Sequence, residues 1–253
     1  IDALIAVKQR VLGLLAEKRR AFITRAVTRG LDSRTPLRDS GIPWLGAIPA
    51  HWSVARLKFL AAEPLSYGAN EAAEQDDPSF PRFVRITDIA EDGNLRDETF
   101  RSLGPSVAAP YLLKTGDALF ARSGTVGKAF LYKHSWGPAC FAGYLIRLRC
   151  ATGKLHPEFL YAFAQSEPYW GQLREGTIQA TIQNFSAEKY GDLSLAWPPL
   201  DEQEAIVEHI ERETTKLAKV REATERTIAL LKERRSALIA AAVTGQIDVA
   251  AAA

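Results

Sequence analysis

Residues 201–245 read DEQEAIVEHIERETTKLAKVREATERTIALLKERRSALIAAAVTG. An apolar residue or a threonine recurs in this stretch every seven residues, over about five heptads. Such a period predicts a long helix that buries one stripe against a partner helix. At 1.5 Å per residue the helix would be about 65 Å long, which suits a spacer or a docking element. The seven-residue series is Ile210, Leu217, Thr224, Leu231 and Leu238, with Ile206, Val220 and Thr227 at interleaved positions.

The ends of this helix are marked in the sequence. Pro198 and Pro199 precede it and Gly245 follows it, which is the usual placement of helix-stopping residues. Six acidic residues lie within 201–213, and basic residues lie within 232–235. Both groups have the sign that complements the helix dipole at their end of the helix.

The partner helix occurs in the same chain. Residues 14–32 match residues 230–248 at ten of nineteen positions, with a constant offset of 216 and no gap. Two helices rich in Ala, Leu, Lys and Arg can look alike by composition, but the shared register and the identical residues outside the stripe favour an internal repeat. We therefore predict a first helix over residues 1–29, closed by Gly30. The predicted helix–helix interface consists of Leu4, Val11, Leu15, Phe22, Ile210, Leu217, Val220, Leu231 and Leu238.

Length and composition set limits on the rest. The chain has 253 residues, 47% of them hydrophobic, and a net charge of +2. It is long enough for one sizeable core in addition to the helices, whereas its charge does not by itself name a partner. No apolar run approaches the roughly 20 residues that span a bilayer, and no signal peptide is visible, so a cytoplasmic protein without membrane association is expected. The absence of methionine suggests that something preceded Ile1.

The middle of the chain, residues 50–199, contains more predicted strands than helices. Short alternating or apolar segments near 52–57, 83–86, 118–122, 129–132, 139–149 and 193–196 predict strands, and the period of residues 157–174 predicts a helix. No regular β-α-β rhythm is present. The predicted class is α+β, with a bent sheet and few helices in the middle domain and the two long helices forming an antiparallel coiled coil. The predicted domains are 1–32, 33–199 and 200–253.

The sequence offers no catalytic or metal centre. Gly124-Thr125-Val126-Gly127-Lys128-Ala129 imitates part of a phosphate-binding loop, but Arg122 and Ala129 replace a required glycine and the metal-binding hydroxyl. The four histidines share no metal-ligand spacing. Cys140 and Cys150 are interpreted as buried free thiols rather than as a disulfide or a metal pair.

Polar residues concentrate in two segments of the middle domain. Arg122, Ser123, Thr125 and Lys128 occupy one turn, and Gln179, Thr181 and Gln183 lie in a second segment. Such side chains suit contacts with phosphates and base edges. The alternative is that these are ordinary solvated turns.

Four segments resemble the specificity subunits of type I restriction-modification enzymes. Residues 39–52 (DSGIPWLGAIPAHW) resemble the entry to a target recognition domain, and so do 116–128 (GDALFARSGTVGK) and 183–186 (QNFS). Residues 198–207 (PPLDEQEAIV) resemble the junction with that family's conserved helix. The resemblance covers nearly the whole chain. Family members have the order domain, helix, domain, helix, so this chain resembles the back half, with its first helix truncated at the start.

The resemblance implies a non-catalytic subunit that reads one half of a split DNA target. Its two helices would form the rod that separates two recognition domains, around which methyltransferase subunits dock, in a complex that also contains the restriction and translocase subunit. S-adenosylmethionine, ATP and Mg²⁺ would then bind to partner subunits. For DNA contact we predict the turn 122–128 and the segment 179–184. Weaker candidates are Arg85, Tyr67 and Asn70.

Two other interpretations stay open at this stage. The chain can be a half-subunit that self-associates through its helices into a homodimer with two recognition domains. It can also be a coiled-coil interaction protein with no role on DNA. Steep salt dependence of duplex binding would exclude the second interpretation, because phosphate contacts release counterions.

Overall fold

The computed structural model describes residues 1–90, 93–178 and 184–247. The chain forms two compact units. Ile1–Phe22 and His209–Ala253 form the first, here called the helical unit, and Ile23–Glu208 form the second, the globule. The globule thus takes in residues 23–32 and 200–208 in addition to the predicted 33–199, because both long helices contribute their adjoining ends to its packing.

The predicted long helices are present. The first helix ends before Gly30, whose φ of 68° lies in the left-handed region that favours glycine at this position. The predicted helix at 157–174 is two helices, because Pro168 has no N–H and can only stand in the first turn of the second one. The helices are α1 (Asp2–Arg29), α2 (Pro105–Ala108), α3 (Pro157–Phe163), α4 (Glu167–Ile178), α5 (Ala187–Gly191) and α6 (Leu200–Val243).

The strands form four small sheets in the described part of the chain, rather than the one bent sheet that was expected. The α+β class is confirmed. The strands are β1 (Leu37–Asp39), β2 (Ala47–Pro49), β3 (Ser53–Arg56), β4 (Ser66–Tyr67), β5 (Arg82–Val84), β6 (Ala118–Ala121), β7 (Ala129–Leu131), β8 (Ala139–Phe141), β9 (Leu145–Leu148) and β10 (Ser194–Trp197).

Strand pairing explains why the sheet is divided. The order of the largest sheet is β4-β9-β6-β7, all antiparallel, and β5 pairs with β8 in parallel. β1 pairs with β2 and β3 with β10. The strand predicted over 139–149 changes sheets at residues 142–144. At this point the chain passes so close to Gly68 that a Cβ there would lie 2.2 Å from the carbonyl oxygen of Phe141.

The start of α6 is fixed within the globule by buried polar contacts. The Gln203 side chain is fully buried, donates to the carbonyls of Lys154 and Pro198 at 2.8 Å, and accepts from the amide of His156 at 2.8 Å. All polar atoms of this amide are therefore satisfied. Trp52 is buried and donates to the Glu202 carboxylate at 3.1 Å.

In the helical unit α1 and α6 run antiparallel. Asp2 at the start of α1 forms an ion pair of 2.6 Å with Arg235, near the end of α6. Phe22, near the end of α1, lies 5.3 Å from the ring of His209, close to the start of α6. Two contacts at opposite ends define the antiparallel direction that was predicted.

The burial along the stripe differs from the predicted interface at three positions. Leu4, Val220 and Leu238 are exposed. In α1 the neighbouring Ile5 is buried instead of Leu4. In α6 Ile228 is buried, next to the interleaved position Thr227. Residues three and four positions after a stripe residue flank the stripe on opposite sides of a helix, and the period alone does not say which side faces the partner. The other predicted residues are buried or half-buried: Val11, Leu15, Phe22, Ile210, Leu217 and Leu231.

Candidate nucleic-acid interface

The predicted turn at 122–128 joins two paired strands of the globule, β6 and β7. Gly127 lies in the turn with φ of 89°. A Cβ at this position would lie 2.5 Å from Leu173 and 2.8 Å from Trp170. The turn therefore packs directly onto α4, and only glycine fits at the contact.

Two buried tyrosines fix the position of this turn. The hydroxyl of Tyr190 accepts from the Gly127 amide at 3.0 Å and donates to the Ala121 carbonyl at 2.7 Å. The hydroxyl of Tyr169 donates to the Gly127 carbonyl at 2.9 Å. Burial raises the pKa of both phenols above the ordinary value. Both stay protonated and keep their donor role at neutral pH.

Arg122 lies among residues from three parts of the globule. Its guanidinium lies 4.6 Å above the ring of Tyr67 and donates through Nε to the Asn184 side chain at 3.2 Å. The hydroxyl of Tyr67 accepts from the amide of Ala187 at 3.0 Å. Arg122 and Tyr67, both predicted to contact DNA, thus form a cluster that connects the end of β6 to the start of α5.

The other two basic candidates also have intramolecular partners. Lys128 donates through Nζ to the Ile89 carbonyl at 2.9 Å. Arg85 binds the buried carboxylate of Asp88 through two nitrogens, at 3.0 and 2.7 Å, and donates to the Thr99 carbonyl at 2.8 Å. These cations hold segments of the globule together.

Four predicted contact residues line a single groove of about 460 Å³ in the globule. They come from three separate segments of the chain, so the predicted turn converges with two of the weaker candidates. The floor of the groove is formed by small or buried residues that include Ala69, Phe83 and Ala142. We call it the rim groove. The four predicted residues in it are Asn70, Arg85, Ser123 and Thr125.

The rim groove contains three polar or aromatic residues that the sequence did not single out. Glu71 and Thr87 are exposed, and the Tyr144 side chain is 64% exposed. No local motif marks any of them, because they adjoin the predicted residues only through the fold. Gln179, Thr181 and Gln183 lie outside the described residues.

The described ranges 1–90, 93–178 and 184–247 lack the features of two other functional classes. No group of three or more potential metal ligands occurs there, and no helix there is long and apolar enough to cross a membrane. Cys140 and Cys150 are free. Burial raises the pKa of each thiol to about 12, so neither is a thiolate at neutral pH.

The comparisons with known proteins identify the fold. No protein-family model matches the chain, and no curated protein is significantly similar to it. A solved structure described as the basis of complex assembly and conformational transition of the type I R-M system contains a chain with a TM-score of 0.67 at 20% identity. The HsdS subunit from Thermoanaerobacter tengcongensis gives 0.59 at 18% identity.

These matches cover 95% and 97% of this chain and 56% of each of the other chains. The chain therefore spans little more than half the length of the proteins it resembles. The fold of this chain is that of type I restriction-modification specificity subunits. The resemblance predicted from sequence is thus confirmed for the fold.

Proposed function

We propose that this chain is a non-catalytic DNA specificity subunit of a type I restriction-modification enzyme, and that its globule reads one half of a split target. The observation that carries this proposal is the fold shared over 95% of the chain. The rim groove supports it, because it brings amide, hydroxyl and carboxylate side chains together on an accessible surface. These are the groups that contact base edges.

The partners follow from the same proposal. Methyltransferase and restriction subunits would dock on the protein, and S-adenosylmethionine, ATP and Mg²⁺ would bind to those subunits. The helical unit would provide the docking surface, since exposed apolar side chains recur along both of its helices. Examples are Leu14 and Leu230, each more than half exposed. Clusters of exposed apolar residues are typical of interaction sites.

Salt-dependent binding to duplex DNA tests the proposal. Fluorescence anisotropy with a labelled duplex of random sequence should show an affinity that falls steeply between 50 and 200 mM salt, because bound phosphates release counterions. Binding that does not change with salt would contradict it. So would a complete absence of binding at 50 mM salt by a protein whose circular dichroism shows it to be folded.

A second candidate assembly is a homodimer that presents two globules. Exposed apolar residues of the helical unit occur in pairs related by the repeat, Leu4 with Val220 and Leu14 with Leu230. Sedimentation equilibrium distinguishes the states: a dimer supports self-association, and a monomer up to high protein concentration supports assembly with other subunits only.

A further inference from the structure

We infer that the rim groove reads base edges in the major groove of DNA, and that it selects bases that present an amino group, adenine or cytosine. This inference rests on the proposed function. It specifies the surface that reads the target and the bases that this surface selects. It depends on the charge of the groove, on the donors and acceptors at its rim, and on the size of its floor.

The charges of the residues that line the groove favour base edges over phosphate as its ligand. Arg85 is the one cation among the described residues that line it, and its guanidinium is already bound by Asp88 and by the Thr99 carbonyl. Glu71 is exposed, and within the described ranges its carboxylate forms no ion pair or hydrogen bond with another residue. Among the described lining residues the uncompensated charge is therefore that of Glu71, which disfavours a phosphate beside it.

A free carboxylate discriminates between bases. It accepts hydrogen bonds and donates none. In the major groove adenine presents the N6 amino group and cytosine the N4 amino group, whereas guanine presents two acceptors, N7 and O6. Glu71 would accept from an amino group and repel guanine. This residue supplies the selectivity.

The remaining rim residues fit the same ligand. The Asn70 side chain is exposed and can pair with adenine through its amide, donating to N7 and accepting from N6. Ser123, Thr125 and Thr87 carry hydroxyls that donate or accept as the base requires.

Much of the floor of the groove consists of short side chains, which leave room for a base edge beside the buried ring of Phe83. Ala69, Ala142 and Gly143 present at most a methyl group there. Tyr144 presents an exposed ring beside them, which offers an apolar surface to a thymine methyl group on the opposite strand. Short side chains on the floor and polar side chains on the rim are what close approach to base edges requires.

The test is selection from a randomised duplex, carried out with the full chain and with Glu71→Gln and Glu74→Gln. The wild type should enrich a motif with at least one position from which guanine is depleted. Glu71→Gln replaces the carboxylate with an amide that can donate to guanine, so guanine at that position should be recovered about tenfold more often. Glu74→Gln makes the same chemical change at an exposed residue outside the groove lining and should leave the motif unchanged.

The outcomes separate the inference from the proposed function. If the wild type selects a motif and Glu71→Gln selects the same one, the inference is overturned and the proposed function stands. If the wild type enriches no motif and binds without salt dependence, the proposed function itself fails. Asn70→Ala is a second variant. It should lose base preference at one position without losing salt-dependent binding to random DNA, and an unchanged motif would count against the inference.

Discussion

A similar helical sequence occurs twice in the chain, and its two copies lie in different environments. Ile23 and Val27 belong to the globule and are 0% and 1% exposed, whereas their counterparts in the helical unit, Ile239 and Val243, are 49% and 82% exposed. Identical residues at identical helical positions therefore contribute to a core in one copy and to a surface in the other. The repeated sequence determines the helical conformation of both copies, whereas the packing around each copy determines how much its side chains contribute to stability.

The largest effect is expected from an Ile-to-Ala substitution in the buried copy, compared with the same substitution in the exposed copy. Ile23→Ala should lower the free energy of unfolding of the globule by about 2–5 kcal/mol, because it leaves a cavity at a fully buried site. Ile239→Ala should change the stability by no more than about 0.5 kcal/mol. Urea unfolding followed by tryptophan fluorescence and by circular dichroism measures both. Equal losses from the two substitutions would break the comparison.

The fold was predictable wherever the determining signals are local. The long period and the flanking Pro199 and Gly245 predicted a helix that is found at Leu200–Val243. Gly30 closes the first helix as expected. The division of the strand at 139–149 was not predictable. It depends on two different partner strands that are distant in sequence, and on the backbone of Gly68 beside the switch.

The candidate site was predictable only in part, for the same reason. The turn containing Ser123 and Thr125 is visible in the sequence, and the fold places it in the rim groove. The internal partners of the basic candidates come from elsewhere in the chain, such as Asn184 for Arg122. Glu71 and Tyr144 carry no local signal, because exposure and convergence are properties of the folded chain.

A second pair of substitutions, at one buried and one exposed tyrosine, tests the same contrast between buried and exposed positions. Tyr190→Phe removes a hydroxyl that bonds to Gly127 and Ala121, and should cost about 1–3 kcal/mol of stability because buried polar groups lose their partner. Tyr144→Phe, at an exposed site, should cost less than about 0.5 kcal/mol. Thermal melts of the two variants provide the comparison, and a stable Tyr190→Phe protein would show that the turn does not depend on this hydroxyl.

The buried thiol of Cys140 predicts loss of stability at alkaline pH. Burial raises the pKa of Cys140 from 9.0 to about 12, so the folded chain retains a proton that the unfolded chain releases above pH 9. The contribution of this protonated thiol to the free energy of unfolding is complete below pH 9. It should fall by up to about 1.4 kcal/mol per pH unit as the pH rises from 9 toward 12. Urea titrations at several pH values give the slope. Cys140→Ala should have a shallower slope, and an unchanged slope would mean that this thiol is not responsible.

The smallest effect is expected in the helical unit, at the ion pair of Asp2 and Arg235. Both side chains are largely solvated, so a double-mutant cycle with Asp2→Asn and Arg235→Gln should give a coupling of about 0.2–1 kcal/mol that decreases with salt. The pair formed by Arg221 and Glu225 within α6 serves as a control that does not depend on the partner helix. No coupling between Asp2 and Arg235 would count against the antiparallel register described here.

Hydrogen–deuterium exchange with and without a selected duplex tests the central claim most directly. The claim is that the rim groove of the globule contacts the bases of DNA. We predict that bound duplex slows exchange in peptides covering residues 69–71, 86–87, 123–125 and 142–144, while peptides of the helical unit are unaffected. Protection confined to the helical unit, or tight binding with no protection in these four segments, would contradict it.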